Sequence, residues 1–471
     1  MTNDWNSASE SARAAARAAA DAARNDVELL ARIPSISADP ARVPDVERSA
    51  EATVALLEAH GLEQVRIERI RGALPYVIGA WLHAGPEAPT VLLYAHHDVQ
   101  PPGRLDRWTT DPFSPTERDG RLYGRGTADD KAGAVAHAHA VGAWLATAGE
   151  LPCNVRVLIE GEEESGSPSL ERFLREHLDD LRSDVFVLAD AGQWDVGVPG
   201  ITYSLRGLAS CDVRLRALDG PLHSGITGGA VPDPVQAMAR LIASMSDDRG
   251  VVTIEGFADD VVAPSAAERE AIVALGGERG FARAYGLRPG VEIIGDDSVP
   301  VYERLWRQPA LTVIGFDSHP ITGSSNQIVA ECTARLSFRL APGQDPTAVM
   351  EAVTAHVERH RPWGLECDVE AFEGAPAWST DPTGPAFDAC RRALRVGFGV
   401  EPVAMGIGGS IPFVGPFAAA FGGIPALLIG PEDPYSRPHG EDESLHLGDF
   451  ANLIASEVQL LAELAAVGGR A

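Results

Sequence analysis

Val91-Leu92-Leu93-Tyr94-Ala95 is a short apolar run that ends directly in His96-His97-Asp98. The same pattern recurs along the chain. Val155-Arg156-Val157-Leu158-Ile159 runs into Glu160-Gly161-Glu162-Glu163-Glu164, and Val185-Phe186-Val187-Leu188-Ala189 runs into Asp190. Ile424-Pro425-Ala426-Leu427-Leu428-Ile429 leads into a polar loop that holds His439. Short apolar runs bounded by turn residues read as buried strands. Helical patterns over 129–148 and 168–180 lie between them. Strands alternating with helices predict an α/β domain with a largely parallel sheet. In open α/β sheets, sites form beyond the carboxyl ends of the strands. His, Asp and Glu clusters stand at those ends here.

Outward from this core, residues 8–31 read as one Ala-rich helix. From about residue 207 the texture changes. Cys211–Arg216 and Thr333–Arg339 alternate with period two, as antiparallel strands with one wet face do. Helical stretches lie near 233–246, 265–284 and 346–360, and the α/β pattern resumes with a helix near 384–397. The expected organisation is a catalytic domain of residues 1–206 and 378–471, interrupted by an inserted α+β domain of residues 207–377. Glu373–Ala377 is the expected return linker.

The 471 residues carry 39 Lys+Arg against 67 Asp+Glu, a net charge of −28. That balance argues against nucleic acid, whose phosphates need clustered cations, and against an anionic membrane surface. No apolar run is expected to span a membrane, and the polar, acidic start resembles no signal core. Cys153, Cys211, Cys332, Cys367 and Cys390 are scattered and form no C-x-x-C pair, which fits a reducing cytoplasm.

Each polar cluster is weak evidence alone. Strand-end histidines are often hydrogen-bonded turns, Asp129-Asp130 fits a helix N-cap, Glu160–Glu164 fits a solvated loop, and Asp190 fits a turn. Four such clusters on one rim are harder to explain as surface. Imidazole and carboxylate donors suit zinc, manganese or cobalt, and a paired ion site is a hydrolytic clamp. Two divalent ions would be balanced by three carboxylates and one hydroxide, with two neutral imidazoles completing the set.

Several stretches then carry a resemblance: AHHDVQPP at 95–102, YGRGTADDKAG at 123–133, EGEEESGS at 160–167 and LADAG at 188–192. To these are added ITYSLRG at 201–207, LHSGITGG at 222–229, FRLAPGQDP at 338–346, GGSIP at 408–412 and HGEDESLHL at 439–447. The chain resembles the co-catalytic dimetal exopeptidases: carnosinases, bacterial dipeptidases, acetylornithine deacetylases, succinyl-diaminopimelate desuccinylases and aminoacylases. It is most similar to the cytosolic nonspecific dipeptidase branch.

The resemblance implies roles. His96 and Asp190 hold one ion, Glu164 and His439 the second, and Asp129 bridges them. The ions are zinc first, with manganese or cobalt as alternatives. Glu163 is the general base and Asp98 orients His96. The Asp129–Asp130 bond is expected to be cis. Alternating side-chain directions on extended backbone leave open which of Glu162, Glu163 and Glu164 faces the ions. The match of the following Ser165-Gly166-Ser167 assigns base and ligand. His223 polarises the scissile carbonyl across a lid and homodimer interface, and Arg339 binds the substrate carboxylate. Asn326, Gly409 and Ser410 contact the substrate. His97, Pro221, Ile407 and the HGEDE run depart from the family pattern. The implied reaction is hydrolysis of a dipeptide or dipeptide-like amide with a free carboxylate, by a metal-bridged hydroxide. The alternative is deacylation of an N-acyl-amino acid, and a remote one is an inactive metal- or peptide-binding protein.

Overall fold

A computed structural model describes residues 5–372, 374–411 and 414–468, with only the backbone described at 279 and 284. Residues 1–4, Glu373 of the expected linker and Pro412 of the GGSIP stretch lie outside the described residues. Two compact units emerge: Met1–Tyr203 with Asp381–Met405 and Phe413–Ala471, and Ser204–Thr380 with Gly406–Pro412.

The first unit is an α/β layer structure. Its strands are β1 (Glu63–Glu68), β2 (Tyr76–Trp81), β3 (Thr90–His96), β4 (Asn154–Glu160), β5 (Val185–Leu188), β6 (Gly200–Leu205, which ends at the unit boundary) and β7 (Ala426–Leu428). They are ordered β1-β2-β4-β3-β5-β7-β6. The central strands β4, β3, β5 and β7 are mutually parallel. The margins are antiparallel, with β1 on β2, β2 on β4 and β6 on β7. The fully apolar central runs are buried on both faces, which is why they read without alternation. Register aligns their ends, since His96 pairs with Glu160 and Tyr94 with Leu188. One rim therefore collects the residues just beyond each strand's carboxyl end.

Helices α1 (Trp5–Ala18), α2 (Ala20–Ala31), α3 (Val43–Ala59), α4 (Lys131–Ala148), α5 (Pro385–Phe398) and α6 (Leu447–Val467) flank this sheet. The expected single helix over 8–31 is two helices, broken at Ala19. The expected 168–180 helix likewise splits at His177. α4 is buried along nearly its whole length, so alanines and glycines dominate its sequence where larger side chains would not fit between layers. α6 corrects one expectation: among the described residues it is long and apolar enough to cross a membrane, at hydropathy 1.4. Its window is 67% buried within the protein, and Phe450, Leu453, Ile454, Val458 and Leu461 belong to the main core.

The second unit holds a four-stranded antiparallel sheet ordered Ala310–Asp317, Glu331–Leu340, Gly207–Arg216, Glu366–Ala371. Gly207–Arg216 alternates between buried and more exposed residues. Helices Pro234–Ala243 and Pro346–His360 cover its apolar face and close a core around Met238, Phe257, Phe338 and Val353. Residues 204–206, 378–380 and 406–411, assigned by sequence to the first domain, group with this unit instead. The reason is local. Arg206 Nε donates to Gly408 O at 3.1 Å, and Gly406 leaves room for Trp306, whose Cγ would stand 2.6 Å from an added Cβ.

Candidate metal centre and active site

The carboxyl rim of the parallel strands brings seven of the expected site residues together: His96, Asp98, Asp129, Glu163, Glu164, Asp190 and His439. His96 ends β3, Glu163 and Glu164 form a short turn after β4, and Asp190 lies just beyond β5. Asp129 sits just before α4 across a cis bond to Asp130. Asp130 faces away from the cluster. It caps α4 by accepting from Gly133 N at 3.2 Å and also accepts from His96 N at 3.2 Å. Gly133 is required there, because an added Cβ would lie 2.3 Å from Asp130 Oδ1.

Asp129 lies between two histidines. Its Oδ1 is 3.0 Å from His96 Nε2, and its Oδ2 is 3.1 Å from His439 Nε2. Asp190 Oδ2 is 3.9 Å from His96 Nε2, and Glu164 Oε2 is 3.2 Å from His439 Nε2. Two donor triads result, His96–Asp129–Asp190 and Asp129–Glu164–His439, each with donor atoms within 4.8 Å of one another. The shared member presents one oxygen to each side. A nitrogen-and-oxygen donor set built around a shared carboxylate fits a pair of divalent ions.

The supports are equally specific. His96 Nδ1 faces only acceptors, Asp98 O at 3.1 Å and Asp98 Oδ1 at 3.4 Å, so that nitrogen carries a proton and Nε2 points toward Asp129. Burial pushes His96 down, but Asp129 first, then Asp98 and Asp190, more than reverse this. His439 behaves alike: burial opposes protonation, and hydrogen bonds to Asp129 and Glu164 outweigh it. Gln100 donates from its backbone N and its Nε2 to the Glu164 carboxylate at 3.1 and 2.8 Å.

The acidic run divides its labour. Glu162 turns into the protein and accepts from Tyr76 Oη at 2.6 Å, Ser169 N at 2.8 Å and Leu74 N at 3.0 Å. Glu160 accepts from Tyr94 Oη at 2.7 Å. Glu163 belongs to neither triad. Burial pushes its carboxyl up to about 8, with Glu164, Asp98 and Asp129 adding repulsion against the opposing pull of His96. His97 points away: its Nε2 lies 3.1 Å from Pro75 O, and burial holds its ring down near 4.

Glu443, a residue that sequence reasoning missed, underpins the segment that carries Asp129, the carboxylate shared by the two triads. Its carboxylate accepts from Arg125 Nη1 at 2.5 Å and from the backbone N atoms of Gly126, Ala128 and Asp129 at 3.1, 2.9 and 3.2 Å. Its place at the end of the HGEDE run is the available signal. Lys131, the single lysine of the chain, is fully buried at the start of α4. Its Nζ donates to the hydroxyls of Ser35 and Ser49 at 2.9 and 3.1 Å, and burial lowers it to about 7.

The other expected residues, His223, Asn326, Arg339, Gly409 and Ser410, belong to the second unit. His223 is exposed, and its Nδ1 accepts from Gly225 N at 3.1 Å, which leaves the ring proton on Nε2 as an outward donor. Asn326 is its neighbour, accepting at its backbone O from Ser224 N at 2.9 Å. Arg339 Nη1 donates to Ser410 Oγ at 3.0 Å. Arg206 lies within the ITYSLRG stretch, but its sequence position alone does not single it out. Burial, then the nearby Arg339 charge, lowers it to about 10. Among the described residues, neither guanidinium has a carboxylate partner. Two such cations stand beside the Ser410 hydroxyl and the Gly408-Gly409 pair.

A model of peptidase family M20/M25/M40 matches residues 92–463. The chain belongs to that family. It is a hydrolase of the metallopeptidase type. It is 33% identical over 420 residues to the cysteinylglycine-S-conjugate dipeptidase of Corynebacterium striatum, covering 88% of this chain and 89% of that one. It is 33% identical over 346 residues to the Beta-Ala-His dipeptidase of Homo sapiens, covering 72% and 68%. Its fold is similar to the crystal structure of human carnosine dipeptidase 1, with a TM-score of 0.86, 26% identity, and coverage of 97% and 99%.

Proposed function

We propose that this M20 enzyme hydrolyses the amide bond of dipeptides and dipeptide-like substrates that carry a free carboxylate. One observation carries the reading: two His/carboxylate triads share Asp129, which turns one oxygen to each. His96, Asp129 and Asp190 would hold one divalent ion, and Asp129, Glu164 and His439 the other. Zinc suits these donors, with manganese or cobalt next. When bound, such ions supply Lewis acidity for the scissile carbonyl and ease ionisation of the attacking water. Glu163, half-buried beside the triads but outside them, takes that water's proton and returns it to the leaving amine. Asp98 holds His96 in one tautomer. His223 Nε2 offers a donor to the developing oxyanion. Arg339, Arg206 and Ser410 receive the carboxylate, with Gly409 and Asn326 lining the substrate. The dipeptidase names of the relatives support the choice of substrate.

A homodimer is part of this reading. Ala310–Asp317 is an edge strand that exposes Val313, Ile314 and Phe316, and Ile321 beyond it is 94% exposed. A second copy is the occupant that suits an apolar, unpaired edge. Placement in a reducing cytoplasm is supported by five free thiols, four of them buried.

The test strips the enzyme with a chelator and reloads it with zinc, manganese or cobalt. Release of amino acids is then followed on dipeptides and N-acyl-amino acids. Metal-restored dipeptide cleavage supports the proposal, and cleavage of the N-acyl set alone moves the enzyme to a deacylase. Glu163→Gln is expected to keep its metal and lose about 10²- to 10⁴-fold in kcat; near-normal turnover in that variant refutes the base.

A further inference from the structure

A second cluster of metal-type donors lies away from the rim. Asp26 on α2, His60 at the end of α3 and His139 on α4 bring a carboxylate oxygen and two ring nitrogens within 4.8 Å of one another. None of the three belongs to the dimetal cluster, and the reaction derived above uses none of them. We infer that Asp26, His60 and His139 form a further binding site for one divalent transition-metal ion, which ties three helices of the first unit together.

The chemistry of each donor fits. His60 Nδ1 lies 2.9 Å from Leu56 O, a group that only accepts, so Nδ1 carries the ring proton. Its Nε2 is left with a free lone pair, the arrangement found in metal-ligating histidines whose other nitrogen donates to a backbone carbonyl. His139 Nε2 lies 2.8 Å from Asp26 Oδ2, and the two rings stand 4.2 Å apart at 48°. Ligands bound tetrahedrally to zinc through contacts near 2.0–2.1 Å lie about 3.4 Å apart. An ion therefore enters with about 0.6 Å of opening between Asp26 and His139, replacing the proton they share. Burial, and the neighbouring His60, hold the His139 ring below its ordinary value, against the upward pull of Asp26, so the neutral form that a metal needs is favoured.

The backbone is shaped for this approach. Gly142 is one turn beyond His139 on α4, and an added Cβ there would lie 2.6 Å from His60 Cδ2. Any larger residue would push the His60 ring off α4. Access is also suitable. The Asp26 side chain is 34% exposed while His139 is 6% exposed, so the cluster opens outward on the carboxylate side. Two imidazoles and one carboxylate with an open position suit zinc, nickel or cobalt.

The test counts ions on the intact chain. Chelated protein is dialysed against buffered zinc, and separately nickel, and metal per chain is measured on wild type, His60→Gln and Asp26→Asn. The expected result is one ion more per chain in wild type than in either variant, with dipeptide hydrolysis retained in both. Zinc in excess also raises the Tm of wild type more than that of the variants, because only wild type gains a cross-link between α2, α3 and α4. Equal ion counts in wild type and both variants overturn the site, whether or not the rim binds its own pair. Should one variant misfold, losing the rim ions as well, the other decides. Gly142→Ala, which keeps all three donor residues but displaces the His60 ring, should mimic His60→Gln.

Discussion

Replacing Glu443 with alanine is expected to damage both the fold and the metal centre. The carboxylate is fully buried, and the Arg125 guanidinium it faces is only 1% exposed. Removing one partner of a buried pair costs about 3–5 kcal/mol, because the other charge stays buried. Arg125 keeps Gly440 O at 3.1 Å and Pro101 O at 3.3 Å, which places its share near the lower end. The amides of Gly126, Ala128 and Asp129 lose their acceptor at the same time, at about 1–3 kcal/mol for each one that water fails to reach. The expected loss in the metal-free protein is therefore at least about 3–5 kcal/mol, read from urea unfolding. The second effect is on binding. Asp129 N is one of the released amides, so the carboxylate proposed to bridge the ions loses its anchor, and metal affinity is expected to drop about 10- to 100-fold, as for other supports behind ligands. Competition with a chromogenic chelator measures this. Glu443→Gln keeps one acceptor oxygen and should fall between. An alanine variant within about 0.5 kcal/mol of wild type, with unchanged metal affinity, would show that Glu443 neither anchors nor neutralises anything of consequence.

Other expectations concern the second unit. Arg206→Met should lower kcat/KM for substrates with a free carboxylate by roughly 10- to 150-fold, the worth of one charged hydrogen bond; an equal loss on amidated dipeptides would show that Arg206 does not meet the carboxylate. His356 is 5% exposed, donates to or accepts from Ser244 Oγ at 2.9 Å, and is lowered to about 4 by burial, then by His360 and Arg359. Between pH 6.5 and 4 the unfolded chain binds a proton at this site that the native protein does not, so stability falls as pH falls, by up to about 3 kcal/mol. His356→Gln should flatten that slope in urea midpoints taken at pH 7 and 4.5; an unchanged slope assigns the acid sensitivity elsewhere. Ile314→Glu, at a position 59% exposed on the edge strand, should turn a sedimenting dimer into a folded monomer, and a wild type that sediments as a monomer removes the dimer.

The legible parts of the fold were those where sequence and burial speak the same language. β3, β4, β5 and β7 are apolar because they are covered on both faces, and a polar cluster at a strand's end is a rim cluster in a parallel core. The antiparallel margins were less visible. β1, Glu63–Glu68, is polar and half-exposed, so it carries no apolar run. Tyr76–Trp81 is fully buried, yet no chemical cluster stands beyond it to draw attention. The break at Ala19 has no Gly or Pro to announce it. At the site, the polar clusters at strand ends marked the rim, the family resemblance assigned His96, Asp129, Glu164, Asp190 and His439 within it, and their convergence is a matter of register between strands distant in sequence. Glu443 and Arg206 act through buried hydrogen bonds to backbone, and nothing in the chain's order marks which carboxylate or guanidinium will meet which amide or carbonyl.

The burial of Lys131 has a practical consequence. Reagents that tag, cross-link or immobilise proteins through lysine side chains find no lysine on this native surface, since the chain's single lysine side chain lies beneath Ser35 and Ser49. Its acylation becomes a clock. Each labelling event records an opening of the segment between Asp129 and α4, and the rate of modification times how often the floor of the metal centre comes apart.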